Sequence, residues 1–409
     1  MNTATQAPAQ EIGLPTFPIP RTDLLMPPPE YEKFRAQGPT QVKMWDGRNA
    51  WLLTRNADVR ELLSSPHFSA DPTKPGYPFL SPARAATVKS YQTFITMDPP
   101  DHSKFRRMLS KDFTVKRMEE LRPSIEQYVD GLIADMVKHG SPCDLVKHLA
   151  LKLPVTVVSM LVGVPYEDHG KLVKWSSDRL DLSLPPEVSQ QAYKHMAEYF
   201  EEVVRKKEQD PGDGSDMVGR LVLEQIRPGN CTRLDAVHMI LLLYFAGHET
   251  TANQIGMGVL NFLMNPEQRK KLQANPALVK NAVEEMLRLD TPTHYNACRA
   301  ATADVTIGGQ LIRAGEGAYA LLIAANFDPA VFPEPRKFDI ERQNASAQMT
   351  FSHGLHQCIG QPLARLELQT VFKTLFERFP NLELAVPFDQ IPFKREMYVY
   401  GLNSLPVRW

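Results

Sequence analysis

The sequence predicts a mainly α-helical chain with small β-sheets, folded as a single domain over residues 1–409. Three observations predict it. Between about residues 114 and 290, apolar residues recur at helical spacing, in segments near 119–138, 187–208, 215–226, 232–264 and 277–289. Alternating stretches flank tight-turn pairs at QVKMWDGRNAWLLTR (41–55, Asp46-Gly47) and DVTIGGQLIR (304–313, Gly308-Gly309), which read as β-hairpins. No internal repeat, low-complexity tract or disordered linker divides the chain.

The totals exclude several classes. A net charge of −1 gives no bulk pull toward nucleic acid or an anionic membrane. Cys143, Cys231, Cys298 and Cys358 form no CxxC pair, which argues against a disulfide framework and a zinc cage and fits a reducing compartment. MNTATQAPAQEIG lacks the basic and apolar regions of a signal peptide. The longest apolar run, AVHMILLLYFAG (236–247), is too short to span a bilayer. A cytoplasmic, monomeric protein is expected.

Taken in order, the proline-rich start (LPTFPIP, LMPPPE) suggests an extended arm, and with the first hairpin it forms a small β-rich region over about 1–70 packed on the helical body. DPPDHSKFRRMLSKDF (98–113) puts His102 and Arg106 one turn apart on a helix. Thr232 is a plausible N-cap for a helix running to about Met264, before Pro266. A helix that long, apolar around most of its circumference, crosses the interior. Yet AGHETT (246–251) sits in its middle. A buried, unpaired carboxylate there costs several kcal/mol. Two readings stand. Glu249 pairs with a neighbouring helix while Thr250 back-bonds to a carbonyl, or small Ala246 and Gly247 make a groove for a ligand that Thr250 helps to open. A zincin HExxH is excluded because Ala252 stands at the fifth position. Further on, Glu285 and Arg288 share one helix face, and Arg299 follows. His102, Arg106, Arg299 and His356 together are cationic groups able to grip a dianion.

FSHGLHQCIG (351–360) raises the question of what Cys358 does. Gly354 and Gly360 allow close backbone approach, and Pro362 opens a helix just beyond. The helix N-terminus favours a thiolate. His356, two residues away, is poorly placed as a base, and no acid orients it. One thiolate cannot hold an iron–sulfur cluster, but it can be the axial ligand of a haem.

FSHGLHQCIG resembles the haem-binding signature of the cytochromes P450, with Cys358 as the proximal thiolate and metal ligand and with Phe351 and Gly360 at signature positions. AGHETT is similar to that family's oxygen-groove motif, Glu285-x-x-Arg288 to its ExxR, and FPEPRKFDIER (332–342) to the meander that supplies Arg342 or Arg336 to a buried triad. Ser352 stands where the family more often has glycine. The resemblance covers essentially the whole chain and implies a P450 fold, with a long central helix over a haem and a cysteine-ligand loop. It implies a haem b monooxygenase inserting one oxygen atom from O2 into a medium-sized, mostly apolar organic substrate. Glu249 and Thr250 would be catalytic, in proton delivery, and His102, Arg106, Arg299 and His356 would hold the haem propionates. Phe94, Ile95, Leu242, Phe245, Ala246, Thr293, Tyr295, Met397 and Tyr398 would contact substrate. Electrons would come from a ferredoxin and ferredoxin reductase, docking on Lys104, Arg106, Arg107, Lys111, Lys116, Arg117 and Arg365. The alternatives are a nitric oxide reductase of the same family, which takes electrons from NADH directly, and a non-catalytic haem-thiolate sensor.

Overall fold

Arg233–Met264 forms one 32-residue helix, and the rest of the molecule is arranged around it. The computed structural model describes residues 13–409 except 83–84, 86–92, 181–183 and 396–398. Thr232 caps the helix: its hydroxyl accepts from the amide of Asp235, whose carboxylate accepts in return from the Thr232 amide. Helices Lys152–Val162, Pro186–Gln209 and Gln361–Arg378 pack against it, as does a π-helical turn, Val146–Ala150. Its far end is pinned by aromatics. The Phe262 ring lies 5.2 Å from Phe338, 5.8 Å from Phe372 and 5.0 Å from Phe376. Each such buried ring contributes roughly 1.5–3 kcal/mol.

The segment 215–226 resolves into a short helix, Met217–Leu221, followed by a π-helical turn, Val222–Ile226. Val115–His139 starts four residues earlier than its apolar pattern, because the Thr114 hydroxyl accepts from the Arg117 amide and caps it.

The sheets lie to one side. Five strands run in the order Thr40–Lys43, Asn49–Leu53, Gly317–Ala320, Cys298–Ala301, Phe68–Ser69. Only the Asn49–Leu53 and Gly317–Ala320 pair is parallel. Val305–Ile307 and Gln310–Ile312 form the second hairpin. The arm joins the first sheet through a bridge from Thr16 to Lys43 and buries Phe17 against Tyr295 and Tyr319. This arrangement places Arg299 on a strand, His102 on the helix Asp101–Ser110 and Cys358 just before the helix Gln361–Arg378.

Candidate haem site

The chain turns sharply between Met349 and Gln361. Ser352 and Gly354 both take positive φ, 63° and 70°. A Cβ on Gly354 would lie 2.4 Å from the Leu63 carbonyl oxygen, so only glycine fits. Ser352 accepts the same left-handed conformation with a side chain, which is the physical reason for glycine at that position in the family pattern. The Cys358 amide donates to Phe351 O at 2.8 Å and closes the loop. The amides of Gly360 and Gln361, where the helix begins, donate to the Cys358 sulfur. The Arg365 guanidinium lies 4.6 Å from the Phe351 ring centre and pairs with Glu284 at 2.5 Å.

Cys358 presents surface area, yet it lies deep enough that burial pushes its thiol up, against those amides, Arg106 and Arg365. Burial thus opposes the pull of the helix terminus at this sulfur. Coordination to a metal cation deprotonates such a thiol outright.

Beside the loop, two imidazoles and two guanidiniums converge. The His102 and His356 rings are 4.3 Å apart. His102 is fully buried, and neither of its ring nitrogens has a partner among the described residues. Arg106 donates to Gln357 O at 2.6 Å, and buried Arg299 donates one N–H to Cys298 O at 2.8 Å. Burial, reinforced by Arg299, His102 and Arg106, pushes His356 down to about 3. The nearest carboxylate, Asp98, accepts from the Ser69 hydroxyl and, at 2.9 Å, from the Ala70 amide. So many buried donors without an anion are costly, and a dianionic group placed among them satisfies them. The donor set fits haem propionates.

On the central helix, the residues between Ala236 and Phe262 that are not buried are His238, Leu242, Phe245, Ala246, Gly247 and Thr250. His238, Leu242, Ala246 and Thr250 form one i, i+4 row, and Ala246 is exposed. This open stripe lies along a helix that is otherwise core. Tyr193, from Pro186–Gln209, stacks on Phe245 at 6.3 Å and extends its wall; no sequence signal singles it out. Thr250 Oγ1 donates back to Ala246 O at 2.6 Å. Glu249 points elsewhere, into the protein, where Lys394 Nζ meets Oε2 at 2.9 Å and the Ser177 hydroxyl donates to Oε1 at 3.0 Å. The bland reading of both residues is thus physically present: the partners are Ser177 on the helix His169–Leu180 and Lys394, next to the bridge between Phe393 and Leu402, which the sequence does not flag.

Glu285 and Arg288 are completely buried, with bonds of 2.7 and 2.9 Å. Of the two candidate third members, Arg342 reaches Glu285 at 3.0 Å, whereas Arg336 is on the surface with Glu32. Phe94 is buried 6.2 Å from the His102 ring, and Ile95 is exposed. Thr293 is half-buried. The Tyr295 ring packs edge-on against Phe17 of the arm at 5.3 Å. Met397 and Tyr398 lie outside the described residues.

A lone cysteine before a helix, with donors for a dianion beside it, fits the class of haem-thiolate proteins. The family model described as Cytochrome P450 matches residues 35–397. Cytochrome P450-SU2 of Streptomyces griseolus is 41% identical over 410 residues, covering 100% of both chains. The crystal structure of GfsF superposes with a TM-score of 0.91 at 39% identity, covering 97% of this chain and 100% of that one. MycCI of Micromonospora griseorubida, a mycinamicin VIII C21 methyl hydroxylase, gives 0.90 at 36% identity over 97% and 100%. The chain belongs to the cytochrome P450 family. It is a haem-thiolate monooxygenase that uses haem b and O2 on a small organic substrate. Among the described residues no helix is long and apolar enough to cross a membrane.

Proposed function

We propose that Cys358 ligates the haem iron, that His102, Arg106, Arg299 and His356 hold the propionates, and that Thr250 and Glu249 deliver protons on the opposite face. The observation that carries this is the convergence of two arginines and two imidazoles, one with both ring nitrogens unpaired, beside the Cys358 loop. Bound haem supplies dioxygen activation, which a thiolate ligand favours. The protein's residues do the rest. The Gly360 and Gln361 amides steady the sulfur. Leu242, Phe245 and Ala246 line an apolar groove for a medium-sized, mostly apolar molecule, a reading that the mycinamicin hydroxylase supports. Thr250 is the hydroxyl on that groove. Phe94, Ile95, Thr293 and Tyr295 are the remaining described candidates for substrate contact.

Electrons come from a separate ferredoxin and its reductase. Of the basic residues expected to dock it, Lys111, Arg117 and Arg365 are paired with Glu224, Glu120 and Glu284. Lys104, Arg107 and Lys116 make no ion pair among the described residues and form the available set. Four free cysteines support a reducing compartment, the cytoplasm.

With ferredoxin, reductase and NADH, Thr250→Ala raises the hydrogen peroxide released per NADH consumed. An unchanged yield overturns the assignment of Thr250 to proton delivery. Glu249 beside Thr250 favours oxygen chemistry over nitric oxide reduction. Rapid NADH oxidation with nitric oxide and no redox partner would reverse that preference.

A further inference from the structure

FSHGLHQCIG holds two histidines, and the haem site accounts only for His356. His353 is half-buried and stands between two left-handed residues. Ser352 has φ 63° and Gly354 φ 70°, while His353 itself is extended, at φ −147° and ψ 161°. A backbone that alternates in this way within three residues keeps its shape only where the surroundings fix it.

The helix Asn56–Ser64 fixes it from outside the loop. The Leu63 carbonyl lies against Gly354, as the 2.4 Å approach of an added Cβ shows. One turn earlier, Arg60 reaches His353. Its Nη1 donates to His353 Nδ1 at 3.3 Å, Nη2 to Ala347 O at 3.1 Å and Nε to Asn56 Oδ1 at 2.9 Å. Asn56 is buried and anchored in turn, its amide donating to Asp328 Oδ2 at 2.8 Å. All three guanidinium nitrogens are thus spent on neutral acceptors, and Arg60 makes no ion pair among the described residues. An arginine can only donate, so His353 Nδ1 accepts and the ring proton sits on Nε2. Burial and the Arg60 charge hold this imidazole below its ordinary range, which keeps that acceptor free of a proton.

From His353 the constraint runs to the sulfur. The Ser352 amide donates to Met349 O at 2.7 Å and closes the turn on its near side. Phe351, next to Ser352, offers the carbonyl that takes the Cys358 amide. If residues 352–354 relax, that carbonyl turns with them, and the sulfur leaves the amides of Gly360 and Gln361.

We propose that Arg60 is a positioning residue for Cys358: by holding His353 it locks the turn 352–354 and keeps the sulfur presented to iron. This rests on the assignment of Cys358 as the haem ligand. It gives the first histidine of FSHGLHQCIG a task on the loop's outer side, opposite in kind to that of His356.

The test follows the bond to sulfur and not turnover. The haem-loaded protein is reduced under carbon monoxide and placed in mild urea. The absorption band of the thiolate-ligated carbonyl complex then decays into the band of the complex that has lost the thiolate. Arg60→Met speeds this decay roughly tenfold, the worth of one charge-assisted hydrogen bond. His353→Leu, which leaves Arg60 on Asn56 and Ala347, speeds it about as much. The double variant is no faster than either single one, because both changes break one contact. His353→Asn, whose side-chain oxygen accepts from Arg60, stays within about twofold of the unmodified protein. If Arg60→Met takes up no haem, the two His353 variants carry the comparison.

A Leu variant as slow as the unmodified protein overturns the proposal, as does an Asn variant as fast as the Leu one. Accelerations that multiply in the double variant also overturn it, since Arg60 would then act through Asn56 or Ala347. Circular dichroism in the same urea series separates position from stability. The unfolding midpoint of His353→Leu stays in place, and a decay that speeds only in step with a falling midpoint makes the brace purely structural and sinks the proposal. Failure of the underlying assignment shows separately, as a thiolate band that survives in Cys358→Ser.

Discussion

Glu285→Ala removes one anion that serves two buried cations. Its carboxylate accepts from Arg288 at 2.7 and 2.9 Å, from Arg342 at 3.0 and 3.1 Å, and from the Asp339 amide at 3.1 Å. Breaking one buried pair costs about 3–5 kcal/mol. The two guanidiniums keep some compensation, since Arg288 also donates to Asn326, Pro335 and Lys337 carbonyls and Arg342 to Pro333, Glu334 and Lys337 carbonyls. The expected loss is about 4–6 kcal/mol, a large part of the roughly 5–15 kcal/mol that holds a domain together. Arg342→Ala leaves Glu285 with Arg288 and should cost only about 2–3 kcal/mol. Urea unfolding of the haem-loaded protein, followed by circular dichroism, reads both as shifts in midpoint at constant slope. The double variant should lose less than the sum by about 1–3 kcal/mol, because both changes break the same contact. A Glu285→Ala protein within about 1 kcal/mol of the unmodified one, or an Arg342→Ala protein less stable than Glu285→Ala, refutes the shared-anion account.

Asp290→Asn tests a second buried carboxyl, which burial pushes up to about 7 against Arg21 and an Asn261 hydrogen bond. A folded pKa above the unfolded value means that the native state binds the extra proton, so stability is lost as pH rises toward 7. The loss is about 3 kcal/mol between roughly pH 5 and 7, and denaturation midpoints of the Asn variant should lack it. Ser352→Gly relieves about 1–2 kcal/mol of left-handed strain and gives back about 0.4–1 in unfolded-state entropy; a small rise in urea midpoint is expected, and a clear fall contradicts the strain. Arg299→Leu removes a charge-assisted partner worth about 1.5–3 kcal/mol, so transfer of haem to apomyoglobin should show roughly 10- to 100-fold weaker retention. Retention unchanged within error removes Arg299 from the propionate set.

What was legible in the sequence was local. The residues of the cysteine loop lie within ten positions of one another, and the cap at Thr232 is completed by Asp235 three residues on. What was illegible depends on partners far along the chain. The choice of Arg342 over Arg336 follows from which side of the meander faces Glu285, 57 residues upstream. Lys394 meets Glu249 across 145 residues, and Tyr295 packs against Phe17 of the arm. The π-helical turn at Val222–Ile226 uses the same residues an α-helix would, so the 215–226 pattern reads as one helix. A helix terminus beside Cys358 can be seen in a sequence, whereas the depth of burial that opposes it cannot.

The central helix also shows why an acid and an alcohol in adjacent positions cannot do the same job. Successive residues on a helix point about 100° apart. With Thr250 on the open row of Leu242 and Ala246, Glu249 is turned into the protein, toward Lys394 and Ser177. A proton passing between them must come round the helix from its buried side instead of along the groove. Thr250 itself is held by Ala246 O at 2.6 Å, and giving up that bond costs on the order of 1 kcal/mol. That is small beside the cost of separating Glu249 from Lys394, which leaves a buried charge uncompensated at about 3–5 kcal/mol. The alcohol is therefore far freer to turn than the acid.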